Sequence, residues 1–233
     1  MMMKKKIQLL ISLMLVCFSA FADNVGTWNT VQLSKTIDSW TLIASEESRI
    51  GVDQSHSSKK FDEFHTTAGA NYEAAKCLSI GVQDDYVLLR DGTDARYRYD
   101  NRPGVNIAVH RKIRDIMFLN RSRFVMRDID GERPYFRYRN LSKVMTPALC
   151  SARVIKDIRL FSSYEWYFDE GSKDRNIRKN DKFCQFWTDF GLHAKVSQHT
   201  TIELFYRLVE VKSNVDHDWS PSHAICMALN FSF

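Results

Sequence analysis

After the apolar run from Ile7 to Phe18, the 233-residue chain has no second stretch approaching the roughly 20 apolar residues that a membrane-spanning helix needs. A helical membrane bundle is therefore excluded. Cysteine is scarce and badly placed for metal: the chain holds 5, none in a Cys-x-x-Cys pair, which argues against a zinc site. No nucleophile elbow, phosphate loop or paired-histidine metal motif occurs, so the main sequence signatures of acyl hydrolases, nucleotide hydrolases and zinc proteases are missing. No internal repeat or low-complexity tract stands out. A strong charge of one sign is lacking too. The formal net charge of +5 includes Lys4, Lys5 and Lys6, and without those three it falls to +2, too little to imply nucleic acid or an acidic partner.

Those three lysines open an export signal. They precede the Ile7 to Phe18 run, and Ala20-Phe21-Ala22 then supplies small residues at the two positions that a signal peptidase reads. Residues 1–22 are expected to be a cleaved signal peptide, leaving 23–233 as a single domain. Cys17 leaves with the signal. Cys77, Cys150, Cys184 and Cys226 remain, an even number that permits disulfides in an oxidising compartment and equally permits four unpaired small hydrophobes.

What the remaining chain does have is a period of two. From Ala224 to the terminal Phe233, the side chains of Ile225, Met227, Leu229, Phe231 and Phe233 share one face. In Thr200 to Val211, Ile202, Leu204, Tyr206 and Leu208 oppose Glu203, Phe205 and Arg207. In Ile158 to Phe168, Leu160, Ser162, Tyr164, Trp166 and Phe168 oppose Arg159, Phe161, Ser163, Glu165 and Tyr167. The same alternation, with polar intrusions, runs through Phe183 to Val196, Val105 to His110 and Leu78 to Tyr86. It is looser in Phe64 to Glu73 and Arg133 to Leu141, and Trp28 to Leu33 with Trp40 to Arg49 form an N-terminal hairpin. Segments of about ten residues with one apolar face and one charged face suit strands that cross a bilayer at a tilt, lipid outside and lumen inside.

Connections alternate in length. Links near Ala74-Ala75, Arg114-Asp115 and Val196 to His199 are short, whereas Gly51 to Glu63, Asp91 to Pro103, Asp169 to Lys182 and Lys212 to Ser222 are long and polar. Short periplasmic turns and long outer loops are the outer-membrane arrangement. The expected fold is all-β: a closed antiparallel up-and-down transmembrane β-barrel. About eleven segments can be counted, but bacterial single-chain barrels have an even number of strands. Twelve strands are therefore expected, with ten as the alternative, and the conflict falls on the seam where the last strand meets the first.

The start of the exported chain, Val25-Gly26-Thr27-Trp28-Asn29-Thr30, followed by Leu33-Ser34-Lys35, Trp40-Thr41-Leu42, Glu46-Glu47 and Arg49, resembles the domain-of-unknown-function 2490 family, as does the later run of Arg-rich and Tyr/Phe-rich alternating strands. The resemblance covers most of the exported chain. It implies a bacterial outer-membrane-type β-barrel without an assigned biochemical activity, and it brings no catalytic residue with it.

The charges on the inward face carry the functional reading. Arg121, Arg123 and Arg127 share one face of their segment, Arg137 and Arg139 one face of the next, and Arg159 and Arg207 lie inward on theirs. Glu47, Glu73, Asp85, Asp157, Glu165, Asp189 and Glu203 offer the opposite charge. The plain reading is a paired ion network filling a narrow lumen, because buried charges are tolerated only when paired. The sharper reading is an arginine-lined passage for small anionic solutes. Both describe a non-enzymatic outer-membrane protein without cofactor or metal, whose partners are outer-membrane lipid and, through Phe233, the barrel-assembly machinery. The sequence names no solute.

Two other classes stay open. A soluble periplasmic or secreted barrel binding a lipid would bury Leu204 and Tyr206 and expose Glu203 and Arg207. An outer-membrane hydrolase would need Ser163 with His193 or His110, or Asp189 with His193; but Asp189 and His193 lie about 13 Å apart along one strand, too far to share a proton. Asp84, Asp85, Asp91 and Asp94, or Asp216, His217, Asp218 and His223, are weak metal candidates without a binding spacing.

Overall fold

The computed structural model describes residues 25–52, 59–91, 96–150, 155, 157–170, 183–212 and 219–233. Eleven strands account for nearly all of them: β1 (Val25–Ile37), β2 (Trp40–Val52), β3 (Lys59–Ala75), β4 (Leu78–Asp91), β5 (Arg96–Ile113), β6 (Ile116–Ile129), β7 (Tyr135–Met145), β8 (Asp157–Glu170), β9 (Phe183–Lys195), β10 (Thr200–Lys212) and β11 (Trp219–Ser232). Each pairs with its sequence neighbours in antiparallel fashion, and β11 returns to β1 to close a barrel.

The strand number corrects the expectation of twelve or ten. Segment counting gives the structure's answer, and the parity rule misleads, because the closing pair β1–β11 is parallel: Val25 lies beside His223 and Ser34 beside Ser232. A barrel closed by one parallel ladder needs no even count. Its seam continues past the strand end, where Phe233 N donates to Ser34 O at 3.0 Å and Thr36 N to Phe233 O at 3.3 Å. The ends of the sheet therefore lie at opposite rims. β11 finishes at the rim of the short turns, while β1 starts at the rim of the long connections.

At the short rim two-residue turns join β1 to β2, β3 to β4 and β5 to β6. The first and last hold a non-glycine residue at positive φ, Asp38 at 52° and Arg114 at 55°. Asp accepts that region readily because its short side chain bonds locally, whereas Arg there costs about 1 kcal/mol. The connections assigned to Asp91–Pro103 and Lys212–Ser222 are shorter than expected, since β5 already begins at Arg96 and β11 at Trp219.

Because side chains alternate across a sheet, the register sorts the faces. Outward go Val31, Leu33, Leu42, Val82, Val105, Ile107, Val109, Leu160, Phe190, Leu204 and Met227, all exposed. Aromatics flank this apolar surface at both rims: Trp40 and Tyr72 with ring centroids 5.1 Å apart near the short turns, and Tyr138 with Trp166 at 5.1 Å and Phe186 with Trp219 at 5.2 Å toward the long connections. Inward go the charged residues together with Phe161, Phe205, Ala224 and Cys226, which form one buried cluster, and Tyr167, Trp187 and Val209, which form another. Gly191 admits that packing. It lies opposite Phe161 on one side and Phe205 on the other, and an added Cβ would meet the Leu204 carbonyl oxygen at 2.5 Å. The orientation is opposite to that of a soluble lipid-binding barrel: Leu204 is exposed, while Glu203 and Arg207 point inside. The four cysteines among the described residues are free, with Cys77 exposed in the β3–β4 turn and Cys226 buried.

Candidate functional site

The lumen is built from ladders of opposite charge. On β9 and β10, Arg207 donates from Nε and Nη2 to the two oxygens of Asp189, at 2.7 and 2.9 Å, and Ser163 Oγ adds a third bond to Asp189 at 2.8 Å. Across β7 and β8, Arg139 spans Glu165 at 3.1 and 3.2 Å, and Tyr167 OH donates to the same carboxylate at 2.8 Å. Arg123 reaches from β6 to Asp85 on β4 at 2.9 Å, where Thr67 Oγ1 also donates. Lys143 donates to both oxygens of Glu203, and His193 Nδ1 lies 2.9 Å from Oε1. Bidentate guanidinium–carboxylate geometry of this kind satisfies several donors at once, which makes desolvated charge tolerable.

Nearer the long-connection rim the pattern continues. Arg137 holds Asp169 through two bonds of 2.6 Å, and Arg102 and Arg127 converge on the fully buried Asp100. At that height the β5–β6 ladder skips Arg102 and Pro103, and proline has no N–H to give. Arg49 bridges Glu47 and Glu63, each at 2.6 Å, with Thr30 Oγ1 also on Glu47. Toward the other rim Arg159 pairs with Asp157 at 2.7 Å. Cations also lie over aromatic rings: Arg49 over Trp28 at 4.3 Å, Arg207 over Trp187 at 4.4 Å and Lys143 over Phe161 at 4.0 Å.

Between these pairs remains a cavity of about 260 Å³. Its walls carry six basic side chains, Arg49, Arg121, Arg123, Arg139, Lys143 and Arg207, against five carboxylates, Glu47, Asp85, Glu165, Asp189 and Glu203. The surplus cation is Arg121, whose guanidinium is held by no hydrogen bond or ion pair among the described residues. Two buried polar atoms on the walls lack a partner, Arg123 Nε and Trp187 Nε1. Both are donors.

Of the fourteen charged residues read inward from the sequence, nine line the cavity: Glu47, Asp85, Arg121, Arg123, Arg139, Glu165, Asp189, Glu203 and Arg207. Arg137 and Arg159 sit above and below it. Sequence reasoning missed Arg49 and Lys143 as lining residues, although each lies an even number of positions from a residue already placed inward, whereas Trp187 falls on the Asp189 side of its segment by the same alternation. The catalytic pairings do not form. Ser163 bonds to Asp189, Asp189 is clamped by Arg207, and His193 belongs to Glu203. Asp84 and Asp85 fall on opposite faces of β4 and do not converge with each other, and His223 bonds to the Tyr206 hydroxyl. Asp94, Asp216, His217 and Asp218 lie outside the described residues.

A family described as "Protein of unknown function (DUF2490)" matches residues 25–219. No curated protein matches. Among solved structures, one described as "NanC porin structure in rhombohedral crystal form" is similar over 90% of this chain and 99% of its own, with a TM-score of 0.50 and 12% identity. At that identity the likeness shows a shared porin-like barrel fold and nothing about solutes.

Proposed function

Because the chain belongs to the DUF2490 family of unknown function, the activity must be argued from its own geometry, and we propose that it is a non-enzymatic outer-membrane barrel whose lumen is a narrow, anion-preferring passage for small solutes. Three features support the location: the export signal expected at residues 1–22, the exposed apolar wall with aromatics at both rims, and the porin-like fold.

The observation that carries the anion preference is the character of the unsatisfied groups. Among the described residues, every unpartnered buried polar atom on the cavity wall is a donor, and the one charge there without an ion pair is a guanidinium. A buried donor without an acceptor costs about 1–3 kcal/mol, and a passing anion relieves that cost while a cation does not. The paired network sets the width, and the surplus donors set the sign. A cavity of about 260 Å³ admits only small solutes.

Single-channel recording in a planar bilayer under a KCl gradient tests this. The expected result is a small conductance with a reversal potential on the anion side, shifted toward zero in Arg121→Ser. A folded, inserted protein that passes no current, or that prefers potassium, refutes the passage.

A further inference from the structure

The outer wall carries an extended polar patch on β6 and β7. Asn120 and Ser122 on β6 and Asn140 and Ser142 on β7 all point outward, since the alternate residues Arg121, Arg123, Arg139 and Lys143 line the lumen. They form a continuous side-chain network. Asn120 Nδ2 donates to Asn140 Oδ1 at 3.1 Å and to Ser142 Oγ at 2.9 Å; Asn140 Nδ2 donates to Ser122 Oγ at 2.9 Å and to Asn120 Oδ1 at 3.3 Å. Ser122 Oγ also lies 3.0 Å from Tyr138 OH.

Its position on the wall is what demands an account. Along the strands Phe118 and Val144 lie on one side and Phe124 on the other, each more than a third exposed; Ile107 and Val109 of β5 border it laterally. The patch is a polar island in the middle of the apolar band. Hydrocarbon offers neither donor nor acceptor, so polar groups facing it are kept only where they find partners in protein.

The network satisfies much of its own capacity but not all. Both protons of each amide are used within the patch, leaving a lone pair on each amide oxygen, the hydroxyl proton of Ser142 and one of the two hydroxyl protons of the Ser122–Tyr138 pair. A surface holding free hydroxyl donors beside free amide acceptors is complementary to itself across a two-fold axis.

We propose that this β6–β7 face is the contact between two copies of the chain in the membrane, with the Ser142 hydroxyl of each donating to an amide oxygen of the other and the surrounding apolar side chains packing around the pair. Isologous contact is the simplest symmetry that uses the same patch twice. The inference rests on the membrane reading above and is independent of what the lumen conducts.

Energy transfer between copies labelled on Cys77, which is exposed in the β3–β4 turn, reads the association. The purified protein carries Cys150→Ser and Cys184→Ser to keep the label single and is placed in phosphatidylcholine vesicles at increasing lipid dilution. Transfer should rise with protein density to a plateau and fall on mixing with unlabelled protein. Asn120→Leu with Asn140→Leu should weaken association roughly tenfold, and Ser142→Ala, which removes the hydroxyl donor, frees one Asn120 N–H and keeps the amide pair, should weaken it by a smaller factor. The heat-dependent gel mobility of each variant reports that the barrel is intact. Protein that floats with the vesicles but transfers no energy at any density overturns the pairing alone, as does equal association of the double variant. Protein that does not float overturns the membrane reading and the pairing with it.

Discussion

Replacing Arg207 by methionine separates a paired lumen from a merely polar one. Asp189 is 5% exposed and accepts three hydrogen bonds, two of them from Arg207, so the substitution leaves a buried carboxylate with Ser163 as its one remaining partner. Breaking a buried ion pair by removing one member costs about 3–5 kcal/mol. Because Asp189 borders the cavity, water partly compensates, and about 3 kcal/mol is expected. Methionine keeps the volume between Trp28 and Trp187 but loses the charge over their rings, worth about 0.5–1 kcal/mol each. Substituting both members, Arg207→Met with Asp189→Leu, removes the orphaned charge and should recover most of the loss, to within about 1–2 kcal/mol of the unsubstituted protein. Urea unfolding in lipid vesicles followed by tryptophan fluorescence measures this; with a slope of about 3 kcal/mol/M, the single variant's midpoint falls by about 1 M. A loss below about 1 kcal/mol for the single variant, the value of an exposed pair, refutes the buried-network account. So does a double variant as unstable as the single.

Gly191→Ala should destabilise the barrel by about 1–3 kcal/mol in the same assay, because the new methyl has to displace the Phe205 side chain and the β10 backbone. Leu204→Arg places a charge on the apolar wall and should cost about 2–4 kcal/mol in a bilayer, falling to near zero at the rims; equal stability in vesicles would show that this face does not meet lipid. Arg121→Ser removes a cation that holds no ion pair, so its unfolding midpoint should match that of the unsubstituted protein even though its ion selectivity changes.

How much of this was legible in the sequence depends on which property period two encodes. The face each residue takes was legible: Glu203 and Arg207 inside, Leu204 and Met227 outside, and eleven segments in all. Direction of pairing was not, since a strand with a parallel neighbour alternates just as one with antiparallel neighbours does. The β1–β11 seam therefore escaped, and the parity rule filled the gap wrongly. Partners were also hidden. That Arg139 meets Glu165 and Arg123 meets Asp85 follows from register and from reach across a closed lumen, and a one-residue slip would exchange the faces. The start of β5 was read as loop because Arg98 and Asp100 alternate with Tyr97 and Tyr99, so the aliphatic signal fades near the rim. The polar island on β6 and β7 looked like imperfect alternation; only the hydrogen bonds from Asn120 to Ser142 and from Asn140 to Ser122 show it to be organised.

The central claim, that the apolar face meets hydrocarbon while the charged face lines a lumen, is tested most directly by depth-dependent quenching. A small fluorophore on a single cysteine at Leu204 or Met227, compared with one at Glu203 or Ala228, is read in vesicles whose acyl chains carry bromine. The account predicts strong bromolipid quenching at Leu204 and Met227 and weak quenching at their immediate neighbours, with the order reversed for aqueous iodide. Equal quenching at all four positions, or aqueous access greatest at Leu204, would contradict it.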